Sequence, residues 1–169
     1  SDGIRSAIGQ GTHLYTVSQI ARYVSTIANR GTVYDLTLLD KLTDSEGNTI
    51  EDYSASVYNN IDIADNSWNT IQEGMHQVAE NTADLNLTIA GKTGTAQQSK
   101  SHPNHALFMG YAPYESPQIA IAIRIANGYT SANAASMAAD IFSYYFDLTD
   151  KDELLNGSAT TATSAVIND

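Results

Sequence analysis

The chain of 169 residues has no cysteine, three prolines and one tryptophan, and only 8 Lys and Arg against 19 Asp and Glu. Without cysteine, neither a disulfide framework nor a thiolate metal site can form. The formal net charge of −11 excludes a general nucleic-acid binder, because holding a phosphate backbone requires clustered positive charge. Long apolar runs are missing too. The longest uncharged apolar stretch, Ile119 to Ile123, falls far short of the ~20 residues that span a bilayer. The chain opens at Ser1 with no leader-like segment, so a targeting segment or anchor is expected upstream of it or not at all.

Hydrophobic residues make up 42% of the chain, enough for a packed core and too many for a disordered polymer. The length fits one domain. Charge is unevenly spread. Gly31 to Gly91 holds 11 acidic residues and a single basic one, Lys41. Lys92 to Thr130 holds Lys92, Lys100 and Arg124 against Glu115 alone, with His102 and His105 nearby. A locally positive segment on an acidic chain attracts a small anion while the whole repels polyanions. The plainer alternative is that the acidic loops serve solubility.

Apolar periodicity predicts a helix from Val17 to Arg30, with Val17, Ile20, Ala21, Val24, Ile27 and Ala28 on one stripe. Thr16 and Gln19 read as a capping box and Gly31 as the residue just past the end. Thr32–Leu42 reads as a strand, 44–48 as a turn, and Thr49–Tyr53 as a returning strand, with mostly loop over 54–65. A second helix is predicted from Trp68 to Glu80, capped by Ser67 or Asn66 and buried through Ile71, Met75, Val78 and Ala79. Three strands follow: Leu85–Gln97, Ala106–Ala112 and Gln118–Ala126. Their short connections favour antiparallel neighbours. A last helix, Ala132–Phe146, is capped by Thr130 or Ser131 and buries Ala134, Ala138, Ile141, Phe142 and Tyr145. Residues 1–150 form the expected folded unit, and 151–169 a polar, poorly ordered tail.

The segment richest in chemistry is Ala90-Gly91-Lys92-Thr93-Gly94-Thr95-Ala96-Gln97, on the first of those three strands. Gly94 removes a side chain, so another backbone can approach and pair as an added strand. Lys92, Thr93 and Thr95 bring an ammonium and two hydroxyls, suited to a carboxylate. The Thr95 N–H is a candidate oxyanion donor. The plain alternative is an edge strand with a solvated lysine and a glycine bulge. A phosphate-binding loop is excluded, because Asn86 stands where that pattern needs its first glycine. His102 and His105 have metal-ligand spacing but no acidic third ligand nearby, and read as a solvated loop. Gln97, Gln98 and Ser99 read as a flexible turn over the cleft.

Lys92-Thr93-Gly94-Thr95 resembles the Lys-Thr-Gly motif of penicillin-binding proteins and serine β-lactamases. Ile8-Gly9-Gln10-Gly11, Tyr15-Thr16, Gln19-Ile20-Ala21 and Ile27-Ala28-Asn29-Arg30-Gly31-Thr32 are similar to the stretch before that motif in class B penicillin-binding proteins, the elongation-type branch best of all. Phe108-Met109-Gly110-Tyr111-Ala112-Pro113 resembles the strand after it. The resemblance runs over about residues 4–146. Val17 departs from the family's usual proline, which affects only a helix start.

The family's nucleophile lies in a Ser-x-x-Lys motif, and no serine here has lysine three residues on. Ser67-Trp68-Asn69 and Ser131-Ala132-Asn133 match the second family motif, Ser-x-Asn, only as letters, and read as helix caps. The resemblance therefore implies the C-terminal portion of an α+β, β-lactamase/transpeptidase-like (penicillin-recognising) fold. Antiparallel strands with flanking helices are expected, without the N-terminal strands and nucleophile helix. One sheet edge and much apolar surface should then be open, making the piece alone marginal or self-associating.

The activity implied is that of a peptidoglycan D,D-transpeptidase working through an acyl-enzyme, with this chain alone inactive. Lys92 and Thr95 are implied as catalytic, and Lys92, Thr93, Gly94 and Thr95 as substrate-binding. No cofactor or metal is implied. The implied partners are stem peptides, β-lactams, the N-terminal portion of the same domain and a membrane polymerase. The implied setting is the outer face of the bacterial cytoplasmic membrane. A serine β-lactamase or β-lactam sensor piece, and a non-catalytic stem-peptide-binding module, are the alternatives.

Overall fold

The structure, a computed structural model, describes residues 3–4, 14–79, 87–98 and 100–154. The first long element is helix α1, Val17–Ala28. Thr16 and Gln19 close it reciprocally: the Gln19 N–H donates to Thr16 Oγ1 (3.1 Å) and the Thr16 N–H to Gln19 Oε1 (2.9 Å). The helix stops two residues before the predicted Arg30. Asn29 is the C-cap, and Arg30, not Gly31, takes the left-handed position at φ 62°. The Gly31 N–H reaches back to the Thr26 carbonyl (2.9 Å) and the Arg30 N–H to Ile27 (3.2 Å), a Schellman closure. Gly31 is required for another reason: at φ +118° a Cβ would lie 2.4 Å from the Ile61 carbonyl.

The predicted strand Thr32–Leu42 is two strands with different partners. β1, Thr32–Tyr34, pairs with β4, Val57–Asn60; β2, Lys41–Thr43, pairs with β3, Thr49–Asp52. Leu36, Leu38 and Leu39 between them are exposed, so β-propensity continued where no core was available. The β2–β3 turn is closed by Asp44, whose carboxylate accepts from the Glu46 and Asn48 N–H groups. The Asn48 side chain, the largest cause, holds that carboxyl below its usual range.

Helix α2, Asp65–Ala79, starts three residues earlier than predicted. Ser67 lies inside its first turn, so neither Ser67 nor Asn66 is the cap. Asp65 sits in that first turn, favourable to the helix dipole, and pairs with Arg30 at 3.3 Å. The buried stripe is Trp68, Met75 and Ala79. Ile71 and Val78 stay 40% and 37% exposed, because Trp68 takes the inward place, its ring beside Gly31.

The central sheet is antiparallel, in the order β5 (Ala90–Ala96), β6 (His105–Ala112), β7 (Ile119–Ile125). β5 begins later than predicted; Leu85 and Asn86 of that prediction lie outside the described residues. Helix α3, Ser131–Tyr145, capped by Thr130, covers one face. Its buried residues are Ala134, Ala135, Ala138, Phe142 and Ser143, whereas the predicted Ile141 and Tyr145 are substantially exposed. Ala134, Ala135, Ala138 and Phe142 meet Phe108, Ala106 and Ala112 of β6. Alanines on the helix allow close approach to the sheet. On the other face α1 and α2 pack Val24, Ile27, Trp68 and Met75 against Ala90 and Tyr111. Beyond α3, Lys151–Leu154 forms one helical turn, α4. Residues 155–169 of the predicted tail lie outside the described residues.

Tyr111 is fully buried, and its hydroxyl has no hydrogen-bond partner among the described residues. Burial pushes its phenol up to about 12 from 10.0. The folded state thus holds this proton more tightly than the unfolded chain. Stability from this group is fully present below pH 10 and is lost as pH rises from there through the folded value. Tyr111→Phe should leave neutral-pH stability unchanged or raise it by about 1 kcal/mol, by removing an unpaired buried hydroxyl. It should also flatten the alkaline fall. Urea unfolding at pH 7 and pH 11 reads both.

Candidate active site

Why β5 has the shape it does is written in its glycines. A Cβ on Gly91 would lie 2.5 Å from the Phe108 ring, and one on Gly110 would lie 2.6 Å from the Ala90 carbonyl and 2.8 Å from the same ring. Gly91 and Gly110 face each other across the ladder, and Phe108 occupies the space that both leave. This fixes the alternation of β5. Ala90, Lys92, Gly94 and Ala96 belong to the α1/α2 face; Gly91, Thr93 and Thr95 belong to the α3 face.

The backbone alternates as well. The Ala90 carbonyl lies beside Gly110 and the Met109 carbonyl beside Gly91, so Ala90 and Lys92 spend their backbone groups on β6. In an antiparallel ladder the next residues point the other way. Thr93 and Thr95 accordingly present N–H and C=O to the outer side of β5, which has no neighbouring strand among the described residues. The Lys92 ammonium donates to the Thr93 carbonyl at 2.7 Å, as an exposed side chain reaches an outward carbonyl.

All four predicted residues therefore converge on one open edge, though not on one face. Lys92 and Gly94 flank it from one side, Thr93 and Thr95 from the other. A ligand lying along the edge meets backbone donors at its middle, an ammonium on one flank and hydroxyls on the other. Thr95 Oγ1 accepts the Ser131 N–H from the start of α3 (3.2 Å). That contact joins residues 36 apart, and no spacing signal in the sequence marks it.

The remaining candidates have structural places. His105 opens β6 rather than lying in a loop: its Nε2 lies 2.6 Å from Gln98 Oε1 and its Nδ1 accepts the Asn127 N–H at 3.1 Å. His102 pairs with Ser101 (3.1 Å). No group of three or more metal-ligating side chains occurs among the described residues. Gln98 is tied to His105, and Ser99 lies outside the described residues. Asn133 supports the turn before α3 by donating to the Gly128 carbonyl (2.8 Å).

A second concavity, of about 480 Å³, lies between α2 and the β6–β7 connection, lined by Arg30, Gln72, Glu73, Tyr114 and Glu115 among others. Here His76 stacks on Tyr114 at 4.2 Å and its Nδ1 lies 2.9 Å from the Ile89 carbonyl. Gln77 first, then Tyr114, hold the Glu73 carboxyl below its usual range; Thr88 does the same for Glu115. Sequence reasoning did not find this cluster, whose members come from separate elements.

An antiparallel sheet with helices on both faces and Lys-Thr-Gly on an open edge strand defines the transpeptidase-like class of fold. The family model for the penicillin-binding protein transpeptidase domain matches residues 1–145, and the chain belongs to that family. Penicillin-binding protein 2B of Streptococcus pneumoniae is 30% identical over 162 residues, covering 84% of this chain and 24% of that protein. Peptidoglycan D,D-transpeptidase MrdA of Haemophilus influenzae is 31% identical over 173 residues, covering 86% and 26%. Among solved structures, the imipenem acyl-enzyme complex of penicillin-binding protein A from M. tuberculosis superposes with a TM-score of 0.73 at 26% identity, over 84% of this chain and 33% of that one. Pseudomonas aeruginosa PBP2 in complex with WCK 5153 gives 0.69 at 27%, over 89% and 33%. The chain thus spans about a quarter of the length of these curated relatives.

Gly94 differs from Gly91 in one testable respect. Among the described residues a Cβ on Gly94 meets only Leu107, at 3.4 Å, an ordinary contact. Packing among the described residues therefore does not demand this glycine. Gly94→Ala should change stability by less than ~0.5 kcal/mol. Gly91→Ala, driven into Phe108, should cost about 1–3 kcal/mol. Parallel denaturant titrations measure both.

Proposed function

We propose that this chain supplies the Lys-Thr-Gly edge strand of a serine-type peptidoglycan D,D-transpeptidase. The observation that supports this most is the outward backbone of Thr93 and Thr95 on the open edge of β5, flanked by Lys92. In this reading a serine outside this chain attacks the D-Ala-D-Ala amide of a stem peptide. The terminal D-Ala leaves with a proton, and the acyl-enzyme passes to an amine of a second stem. The stem peptide lies against the β5 edge as an added strand. The Thr95 N–H is one donor to the oxyanion, the N–H of the nucleophilic serine the other. Thr93 and Thr95 hydroxyls bind the terminal carboxylate, which the local excess of Lys92, Lys100 and Arg124 over Glu115 attracts. Lys92, with an exposed side chain, stabilises or relays protons at the active-site hydroxyl.

The chain alone lacks the nucleophile motif and is inactive in this reading. The N-terminal portion of the same domain completes the sheet and the site. The complete protein acts at the outer face of the cytoplasmic membrane with a membrane polymerase as partner. Among the described residues no helix is long and apolar enough to cross a membrane. β-Lactams bind as stem-peptide mimics; an imipenem acyl-enzyme is the state of the M. tuberculosis relative named above.

In the complete protein, penicillin should label a serine outside these 169 residues. Lys92→Ala should slow labelling by about 10²–10⁴-fold, the usual worth of a proton-transfer group. Intact-mass spectrometry after timed exposure measures this. Labelling at the wild-type rate, or an adduct within this chain, overturns the assignment. Rapid hydrolysis of the adduct would identify a β-lactamase instead.

A further inference from the structure

The β7–α3 turn is held in an unfavourable shape, and its hydrogen bonds lead to Thr95. Asn127 and Tyr129, neither a glycine, both adopt left-handed backbone, at φ 55° and 63°. Such a turn persists only where its surroundings over-determine it. Four contacts do so here. The Asn127 N–H donates to His105 Nδ1 (3.1 Å), and the Tyr129 N–H to the Asn104 carbonyl (3.0 Å). Asn133 Nδ2 and the Thr130 N–H both donate to the Gly128 carbonyl (2.8 Å each). Gly128 itself has no room for a side chain, since a Cβ would lie 2.8 Å from Ala106 Cβ. The product is the placement of the Ser131 N–H against Thr95 Oγ1 at 3.2 Å.

The ring of His105 is held at both nitrogens. A backbone N–H can only donate, so Nδ1 accepts from Asn127, while Nε2 lies 2.6 Å from Gln98 Oε1 and 3.2 Å from Arg124 Nη2. A Thr hydroxyl has one proton and two lone pairs. With Ser131 N–H on one lone pair, the hydroxyl proton of Thr95 is left to be donated away from α3. The positive end of the helix dipole strengthens that donor.

We propose that His105 and Asn133 are positioning residues for the Thr95 hydroxyl: by fixing the 127–131 turn they aim it as a donor to the ligand carboxylate. This rests on the carboxylate-binding reading of Thr95 given above.

The test compares acylation of the complete protein by benzylpenicillin and by its methyl ester, which lacks the carboxylate. Thr95→Val and His105→Ala should each slow benzylpenicillin about tenfold, the scale of one hydrogen bond to a charged group, and slow the ester, whose carbonyl is a neutral acceptor, markedly less. His105→Asn, which keeps an acceptor at the Nδ1 position, should restore the rate. The double variant should be no slower than Thr95→Val alone. Should His105→Ala not fold, Asn133→Ala takes its place under the same expectations. Equal slowing of both ligands, or multiplicative effects in the double variant, overturns the proposal. If Thr95→Val slows benzylpenicillin and His105→Ala does not, positioning alone fails. If Thr95→Val has no effect, the carboxylate reading of Thr95 fails first.

Discussion

The ring of Phe108 covers a patch of sheet where two facing residues have no side chain. Gly91 and Gly110 lie beneath it, and a Cβ on either would collide with the ring or with backbone. This single packing constraint sets the register of β5 on β6. A slip by one residue would put a side chain under Phe108 and send every β5 residue to the opposite face. Lys92 and Thr93 occupy opposite flanks of one edge because Gly91 cannot be anything larger. The α3 core of Ala134, Ala135, Ala138 and Phe142 packs over the same ring, so the helix that meets Thr95 is placed by it too.

The two faces of the sheet do different work. The α1/α2 face encloses Val24, Ile27, Trp68 and Met75 and carries Lys92 near its open end. The α3 face carries Thr95 to the helix start. Between α1 and α2 the two small β pairs form little core, and every residue of β2, β3 and β4 is exposed. The described residues thus divide into a layered body that builds the edge strand and an acidic, exposed lobe that takes no part in it.

Much of the body was legible in the sequence. The Thr16–Gln19 box marks the start of α1, and a continuous apolar run marks β7. Errors arose where local pattern competed with tertiary space. Thr32–Leu42 has strand propensity throughout, yet changes partner midway. Ile71 and Val78 fit a helical stripe, but Trp68 fills the room beside Gly31 and turns them outward. At the site, the Lys-Thr-Gly triplet was visible because its chemistry resides in side-chain types. The Ser131 donor was not, since a backbone N–H has no letter and its acceptor lies 36 residues away. His105 reads in the sequence as part of a solvated loop, whereas it opens β6 and its ring serves a backbone turn.

An edge strand is ordinarily the loosest part of a sheet, free to fray from either end. β5 is tethered at both. Near its start the Tyr114 N–H holds the Thr88 carbonyl, and His76 Nδ1 lies 2.9 Å from the Ile89 carbonyl. Near its finish the Ser131 N–H holds Thr95. The edge is therefore a rigid template, whose conformational entropy was already spent when the domain folded. An extended peptide adding to it would lose freedom on its own side only, and the affinity otherwise consumed in ordering the protein is retained.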